Sequence, residues 1–191
     1  AMFCGDTVAS EASWSTLRYL LISPVPRRRL LFSKLTVALI LSAISILILI
    51  VVSYLIGLIA FGSGALSTPT AGPFTETEAF LRIFAIGTYV FLSLLFAAGI
   101  AFLMSVITDI PLAAVGTAVV VVIVSNILGA IEALGALREW LPTNFANAWI
   151  GFLNEDIEWT DINRGISYSV ISFMILITIA VLKFDRKDIT S

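Results

Sequence analysis

Four long apolar segments limit what this chain can fold into. The sequence contains no charged residue from Leu35 to Phe61, and similar segments run over Phe80–Ile107, Ile110–Ile131 and Gly165–Leu182. A helix needs about 20 apolar residues to cross a hydrocarbon core about 30 Å thick. The only formal charge inside these segments is Arg82, near one end of its segment. We therefore predict an all-α integral membrane protein, a polytopic bundle with four transmembrane helices.

Composition excludes a soluble domain and several kinds of enzyme. The 191 residues are 59% hydrophobic and only 13% charged, where soluble domains carry about 25% charged residues. There is no histidine, the commonest general base and zinc ligand, and the single cysteine, Cys4, cannot form an internal disulfide. A P-loop needs Gly-Lys-Ser/Thr, but no lysine here follows a glycine. We expect no catalytic residue, no metal, no cofactor bound by this chain and no nucleic-acid partner.

The connections between the segments predict where the helices begin. Residues 62–74 are rich in Gly, Ser, Thr and Pro and indicate a solvent-exposed loop. Thr75-Glu76-Thr77-Glu78 matches a capping box that would start the second helix near Glu76. Glu78 would then pair with Arg82 one turn later. In the short third connection, Asp109 is the expected cap and Pro111 fits the first turn of the next helix.

Basic residues predict the orientation. One side of the four spans would hold eight Lys and Arg residues and the other side three. The eight are Arg18, Arg27, Arg28, Arg29, Lys34, Lys183, Arg186 and Lys187, and the three are Arg82, Arg138 and Arg164. Positively charged residues accumulate on the cytoplasmic side, so both ends of this sequence are expected there.

The segment from Glu132 to Arg164 would then lie outside. It carries aromatic residues interleaved with acidic ones, a pattern typical of the headgroup region. The interfacial aromatic candidates are Trp140, Phe145, Trp149, Phe152 and Trp159. We expect one or two short helices at or within the outer leaflet, broken at Pro142, with an ordinary extracellular loop as the alternative.

Polar and small residues in the spans are expected to serve helix packing. The polar ones, which we expect to join neighbouring helices, are Ser42, Ser45, Ser53, Thr88, Ser93, Thr117, Ser125, Asn126, Ser172 and Thr178. Two clusters of small residues are expected to allow close approach of backbones: Ala97-Ala98-Gly99 with Ala101, and Ala113-Ala114 with Ala118.

A short amphipathic segment precedes the first span. Trp14, Leu17, Leu20 and Leu21 share one helical face, and Pro24 and Pro26 end the helix. About ten residues cannot form a stable helix alone in water, so the segment must dock on something. Three interpretations are open: a basic anchor for anionic headgroups, the tail of a preceding span, or a cytoplasmic helix that docks into a partner.

The order of residues from Gly5 to Leu35 resembles the cytoplasmic loop of ABC-2 type transporter permeases. The matching residues, in order, are Gly5, Asp6, Glu11, Thr16, Leu17, Arg18, Leu20, Leu21, Pro24, Val25, Arg27 and Lys34. The closing sequence VLKFDRKDITS, after an apolar span, is similar to the common end of this family. The segment before the last span resembles the extracellular re-entrant helices of these permeases.

Two departures from the family pattern stand out. Ser15 occupies the position of the usual glycine, and four spans are present where members usually have six. Ala1–Asp6 is interpreted as the cytoplasmic end of a missing second span, so the sequence would be the C-terminal two-thirds of a permease. It would form one permease domain over 1–191, with a cytoplasmic loop 1–34, spans 35–61, 80–107, 110–131 and 165–182, an extracellular segment 132–164 and a cytoplasmic tail 183–191.

The resemblance implies the membrane subunit of an exporter that is not itself an enzyme. A separate ABC ATPase subunit would bind ATP and Mg²⁺, and a second permease copy or paralogue would complete the pathway in a prokaryotic plasma membrane. The helix near Trp14–Leu21 would be the coupling helix. The implied contacts with the ATPase are Glu11, Trp14, Ser15, Thr16, Leu17, Arg18, Leu20 and Leu21, and the membrane-boundary cluster is Arg27, Arg28, Arg29 and Lys34. A membrane scaffold or sensor subunit and an ion-coupled carrier are the alternatives.

Overall fold

The computed structural model describes residues 1–13, 26–62, 66–68 and 71–185. The helices are α1 (Met2–Ser13), α2 (Arg27–Phe61), α3 (Glu76–Ser93), α4 (Leu95–Ile107), α5 (Pro111–Ala130) and α6 (Trp159–Asp185). Two short strands, β1 (Leu66–Thr68) and β2 (Ala71–Phe74), precede α3. Three 3₁₀ segments, Glu132–Trp140, Pro142–Phe145 and Ala148–Leu153, lie between α5 and α6.

The number of candidate spans agrees with the prediction from the sequence. Within the described residues, four helices are long and apolar enough to cross a membrane: Arg28–Ala60, Glu76–Ile107, Pro111–Ala130 and Trp159–Asp185. The second combines α3 and α4, which are separated only by a turn at Leu94. The chain is therefore a helical membrane protein. Three of these four helices are longer than their apolar segments because polar turns extend them, whereas Pro111–Ala130 is slightly shorter than Ile110–Ile131.

The predicted helix start is confirmed for α3 and is wrong by one residue for α5. Thr75 caps α3 in a capping box, in which its backbone N–H donates to Glu78 Oε2 at 3.0 Å. The cap of α5 is Ile110, one residue beyond the predicted Asp109, and Pro111 occupies the first turn as predicted. The Ile110 N–H donates to Thr108 Oγ1 at 3.2 Å, so the preceding threonine orders this turn.

Two parts of the chain that were expected to be loops contain regular structure. Residues 1–34 include α1 and the first two turns of α2. The connection after α2 holds the antiparallel pair β1 and β2, in which Leu66 lies opposite Phe74. Gly62 ends α2 with a φ of 77°, a conformation that favours glycine.

Helix α4 forms the centre of the bundle because it packs against α1, α5 and α6. Its small residues allow this close packing, as predicted: Ala98 and Ala101 are buried, as are Ala114 and Ala118 on α5. Ala113, which the sequence placed in the same cluster, is exposed. Ala98, Ala101 and Ala118 belong, with Phe102, to a core that includes Cys4 and Val8 of α1.

The prediction that the polar span residues join neighbouring helices is wrong for most of them, because they bond to their own helix. The hydroxyl groups of Ser42, Ser45, Thr88, Thr117 and Thr178 each donate to the carbonyl four residues earlier, and Ser93 donates to the carbonyl three residues earlier. Asn126 donates to Val122 O in the same way. A hydroxyl within an apolar helix satisfies itself at low cost by this bond. Ser125 differs, because it lies 2.7 Å from Thr143 Oγ1 in a 3₁₀ segment.

The two ends of the bundle can be named by their residues. The basic end holds the start of α2 and the end of α6, which an ion pair between Arg28 and Asp185 joins at 2.7 Å. The tryptophan end holds the end of α2 and the start of α6, with Trp159. The ion pair agrees with an even number of spans, since four crossings return the chain to its starting side.

We predict that the basic end faces the cytoplasm. With Cys4 replaced by serine in the full-length protein, a Thr77→Cys variant should react with a membrane-impermeant maleimide on intact cells, because Thr77 is exposed at the tryptophan end. A Ser191→Cys variant should react only after permeabilisation. The reverse labelling pattern would contradict the orientation inferred from charge.

Candidate functional site

Most of the predicted partner-binding helix lies outside the described residues. These positions are Trp14, Ser15, Thr16, Leu17, Arg18, Leu20 and Leu21. Glu11 is described, and so are the two helices on either side of this stretch, α1 and α2. The described part of the candidate site therefore consists of α1 and the first turns of α2.

Lys34 ties the base of α2 to the second half of α1. Its Nζ forms an ion pair with Glu11 Oε2 and donates a hydrogen bond to Thr7 O at 2.9 Å. The Lys34 side chain is only 14% exposed and that of Glu11 28%. A partly buried ammonium with an ion pair and a hydrogen bond is held far more firmly than a surface lysine. Removing Glu11 or Lys34 would leave the other charge poorly solvated. The sequence placed Lys34 in a cluster at the membrane boundary, and the structure gives it a specific acceptor set.

The other basic residues of this cluster lie at the start of α2. Arg27 is the first residue of the helix, Arg28 pairs with Asp185, and Arg29 is exposed. The Arg28 Nε also donates to Asp185 Oδ2 at 2.8 Å. The side chain of Arg28 is largely exposed, so this pair contributes about 1 kcal/mol or less. The structure therefore separates Lys34, which is bound between helices, from arginines at the surface.

Helix α1 is also attached to the centre of the bundle, which the sequence did not indicate. Ser105 Oγ on α4 accepts hydrogen bonds from the Val8 and Ala9 N–H groups, at 3.0 and 2.9 Å. Gly5 approaches α5 so closely that an added Cβ would lie 2.6 Å from Val115 Cγ2. A serine inside an apolar segment carries no signal of its partner, so only the helix arrangement identifies Ser105.

The tryptophan end is closed by the 3₁₀ segments, which Arg82 fixes to α3. Its guanidinium donates to Phe152 O at 2.5 Å, Asn154 O at 2.6 Å and Glu155 O at 3.3 Å. The Arg82 Cζ also lies 4.0 Å from the centre of the Phe74 ring, so it holds the end of β2 as well. Glu78, the predicted partner, bonds to Thr75 in the capping box. Backbone carbonyls at the end of a 3₁₀ turn lack internal donors, which explains why they attract the arginine.

The predicted interfacial aromatic residues divide into buried and exposed ones. Phe145 and Phe152 are buried, Trp149 is half-buried, and Trp140 and Trp159 are exposed. The Phe145 ring stacks on Tyr168 of α6 with centroids 5.7 Å apart. The break at Pro142 is present as predicted, but the segment contains three short 3₁₀ helices where one or two helices were expected.

The 3₁₀ segment Pro142–Phe145 lies below the ends of the spans that surround it. Tyr89 Oη on α3 donates to Phe145 O at 2.5 Å, and an added Cβ at Gly165 of α6 would lie 2.9 Å from Phe145 Cβ. Ser125, which contacts Thr143, and Gly165 are each five or six residues from the nearer helix end. At 1.5 Å per residue this corresponds to a depth of about 8 Å. The segment therefore enters the bundle between α3, α5 and α6.

No metal site is formed within residues 1–13, 26–62, 66–68 and 71–185. No three Cys, Asp or Glu side chains in these ranges lie close enough together to hold a metal ion. The polar groups that the structure brings together are instead those that attach α1 and the 3₁₀ segments to the spans.

Comparison with known proteins gives a family. A family model described as DUF2705, protein of unknown function, matches residues 1–190. The chain belongs to this family. It is also similar to the uncharacterized protein YhcI of Bacillus subtilis (strain 168), with 42% identity over 57 residues. That alignment covers 30% of this chain and 18% of YhcI. No solved structure matches.

We predict that Gly165→Ala destabilises the protein by about 1–3 kcal/mol, because a methyl group there would overlap the Tyr89 ring hydroxyl and Phe145 Cβ in a filled region. Gly116→Ala on α5 is the matched control. Nothing lies within 4 Å of an added Cβ there, so it should leave stability unchanged or raise it by up to about 1 kcal/mol. Thermal unfolding in one detergent measures both. Equal effects would contradict the close packing at Gly165.

We predict that Arg82→Met releases the segment Ala148–Leu153 from α3 and lowers the free energy of unfolding by about 2–3 kcal/mol. The reason is that carbonyls at the end of this turn lose a charged donor. Amide exchange in residues 148–155 should rise while exchange in α4 is unchanged. Arg164→Met, at an exposed position near the same end, serves as the control. Unchanged exchange over residues 148–155 in Arg82→Met would refute this role of Arg82.

Proposed function

We propose that this chain is the membrane-spanning permease part of an ATP-driven exporter of the ABC-2 type. One observation carries the proposal: the two helices that flank residues 14–25, where the sequence resembles a coupling helix, are joined to each other by a partly buried ion pair between Glu11 and Lys34. The ends of a surface loop with no mechanical role need no such attachment. A segment that receives force from a partner needs this attachment, because loosely held ends would move without moving the spans.

The proposed mechanism assigns ATP hydrolysis to a separate subunit. That ATPase would bind ATP and Mg²⁺, and its closure would push on the helix near Trp14–Leu21. Leu17 and Leu20 would be apolar anchors in its cleft, with Arg18 forming a charged contact. Because Pro24 and Pro26 leave few residues before α2 begins at Arg27, the push would tilt α2 and change how it packs.

The transport path would form between two copies of the permease or two related ones. A hydrophobic or amphipathic substrate suits spans lined by aliphatic, Phe, Ser and Thr side chains. The 3₁₀ segments would take the place of re-entrant helices, and their position about 8 Å below the ends of α5 and α6 suits a closure at the outer side. Their attachment to α3 through Arg82 and Tyr89 means that this closure would move with α3.

Two other functions make different use of the same topology. A scaffold or sensor subunit would need no ATPase, and an ion-coupled carrier would need an ionisable group near the membrane centre. The charged residue inside the apolar segments is Arg82, and its guanidinium bonds three backbone carbonyls. A cation held in this way is poorly placed to exchange protons or ions, which favours the exporter over the carrier.

We predict that Leu17→Asp or Leu20→Asp abolishes substrate-stimulated ATPase activity while membrane insertion continues. An aspartate in an apolar cleft would be desolvated without a partner, which strongly disfavours docking. The full-length protein would be purified with the ATPase that accompanies it and tested against a panel of lipids and amphipathic drugs. Leu17→Met, which keeps the apolar volume, is the control and should remain stimulated.

Two outcomes would overturn this function. The first is that no ATPase accompanies the purified full-length protein and transport continues in ATP-depleted vesicles. The second is that the aspartate variants keep normal stimulation. Transport that stops when the ion gradient collapses, but not when ATP is removed, would identify the carrier.

A further inference from the structure

We infer that Ser105, Lys34 and Glu11 are positioning residues that make α1 move with α2 and α4, so that a push on residues 14–25 reaches the centre of the bundle through α1. This inference rests on the proposed function but adds a second route to it. The first route runs directly into α2. The second enters α1, which precedes the same stretch, and passes from there to α4.

The first step is the bond between the two ends of the stretch. Thr7 and Glu11 are four residues apart, so they lie on one face of α1, and Lys34 Nζ bonds the carbonyl of one and the carboxylate of the other. The ammonium thus holds two different groups of α1, a backbone carbonyl and a side-chain carboxylate. Because α1 can neither slide along Lys34 nor rotate beside it without breaking one of these bonds, the end of α1 follows the base of α2.

The second step is the bond between α1 and α4. Ser105 is completely buried, and its Oγ accepts from two consecutive N–H groups of α1. Two bonds to neighbouring amides fix both the height and the rotation of α1. A slide of one residue along the helix axis is about 1.5 Å, enough to break bonds of 2.9 and 3.0 Å.

The third step is the packing that leaves α1 no independent path. Cys4, Val8 and Ala9 are buried, and Gly5 brings the α1 backbone against Val115 of α5. Interlocked helices of this kind move as units because packed interiors are not continuously deformable. Movement of α1 is therefore transmitted to α4, which contacts both α5 and α6.

Ser169 supplies an unusually close control for Ser105. Both serines are completely buried within the bundle. Among the described residues, Ser169 Oγ on α6 has no hydrogen-bond partner, whereas Ser105 Oγ joins two helices. Replacing either by alanine makes the same chemical change at the same burial, and only one replacement removes an interhelical bond.

The experiment uses the full-length protein with its accompanying ATPase in lipid nanodiscs. In Ser105→Ala, amide exchange of the peptide containing Val8 and Ala9 should rise, because the acceptor is gone. The ratio of substrate-stimulated to basal ATPase activity should fall about fivefold, toward the lower end of typical coupling factors. Ser169→Ala should change neither measurement.

Reversing the charges of the ion pair between Lys34 and Glu11 keeps the inference testable if Ser105→Ala fails to fold. Lys34→Glu alone should lower the stimulation ratio by a similar factor. Combining it with Glu11→Lys should restore part of the ratio, because the ion pair is rebuilt with its charges reversed while the bond to Thr7 O stays lost. A merely structural role would change yield or melting temperature in these variants without restoring coupling in the double variant.

The outcomes separate the two proposals. If the wild-type complex shows no stimulated ATPase activity, the proposed function fails and this inference fails with it. If the wild type is stimulated and Ser105→Ala exchanges faster but is stimulated equally, the exporter stands and the route through α1 is overturned. A stimulation ratio in the double charge variant that stays at the level of Lys34→Glu would also overturn the role of the ion pair.

Discussion

The interior of a membrane offers no water, so a polar group there is stabilised only by a partner within the protein, and this constraint shapes the bundle. It makes the spans helical, because a helix satisfies its own backbone. It also explains why most span hydroxyls bond to their own helix, as Thr88 does with Phe84 O. The polar groups that do reach another element are therefore informative. Within the described part of the chain, they attach α1 and the 3₁₀ segments to the spans.

Those attachments differ at the two ends of the bundle. At the basic end, side chains of α2 and α4 bond to α1: Lys34 to Thr7 O and Glu11, and Ser105 to two backbone N–H groups. At the tryptophan end, Arg82 and Tyr89 of α3 bond to backbone carbonyls of the 3₁₀ segments. The proposed exporter, driven by an ATPase from one side, would need both a firm connection to that ATPase and a closure that can follow its helices. The two sets of bonds suit those two tasks.

Part of the candidate site was predictable, because some motifs act locally. The capping box at Thr75 and the break at Pro142 depend on neighbours within four residues, and both are present. Lys34 and Glu11 were noticed as family-like residues, but nothing in the sequence indicated that they bind each other. Arg82 was assigned to Glu78 because helical spacing favours i,i+4 pairs. It bonds instead to carbonyls some 70 residues away, since unpaired carbonyls of a 3₁₀ turn need a donor more than a capped glutamate does.

Length and hydropathy alone determined the class of protein, the four candidate spans and the approximate limits of each, because crossing a hydrocarbon layer requires a long uncharged helix whatever surrounds it. Only the tertiary structure decided that α1 is held inside the bundle, that Ser105 joins α4 to α1 while most other span hydroxyls bond to their own helix, and that Pro142–Phe145 enters between α3, α5 and α6. The reason is physical. An apolar surface can pack against many others, so periodicity reveals which residues are apolar but not which surfaces meet, and a buried polar group acquires its partner only once they have met.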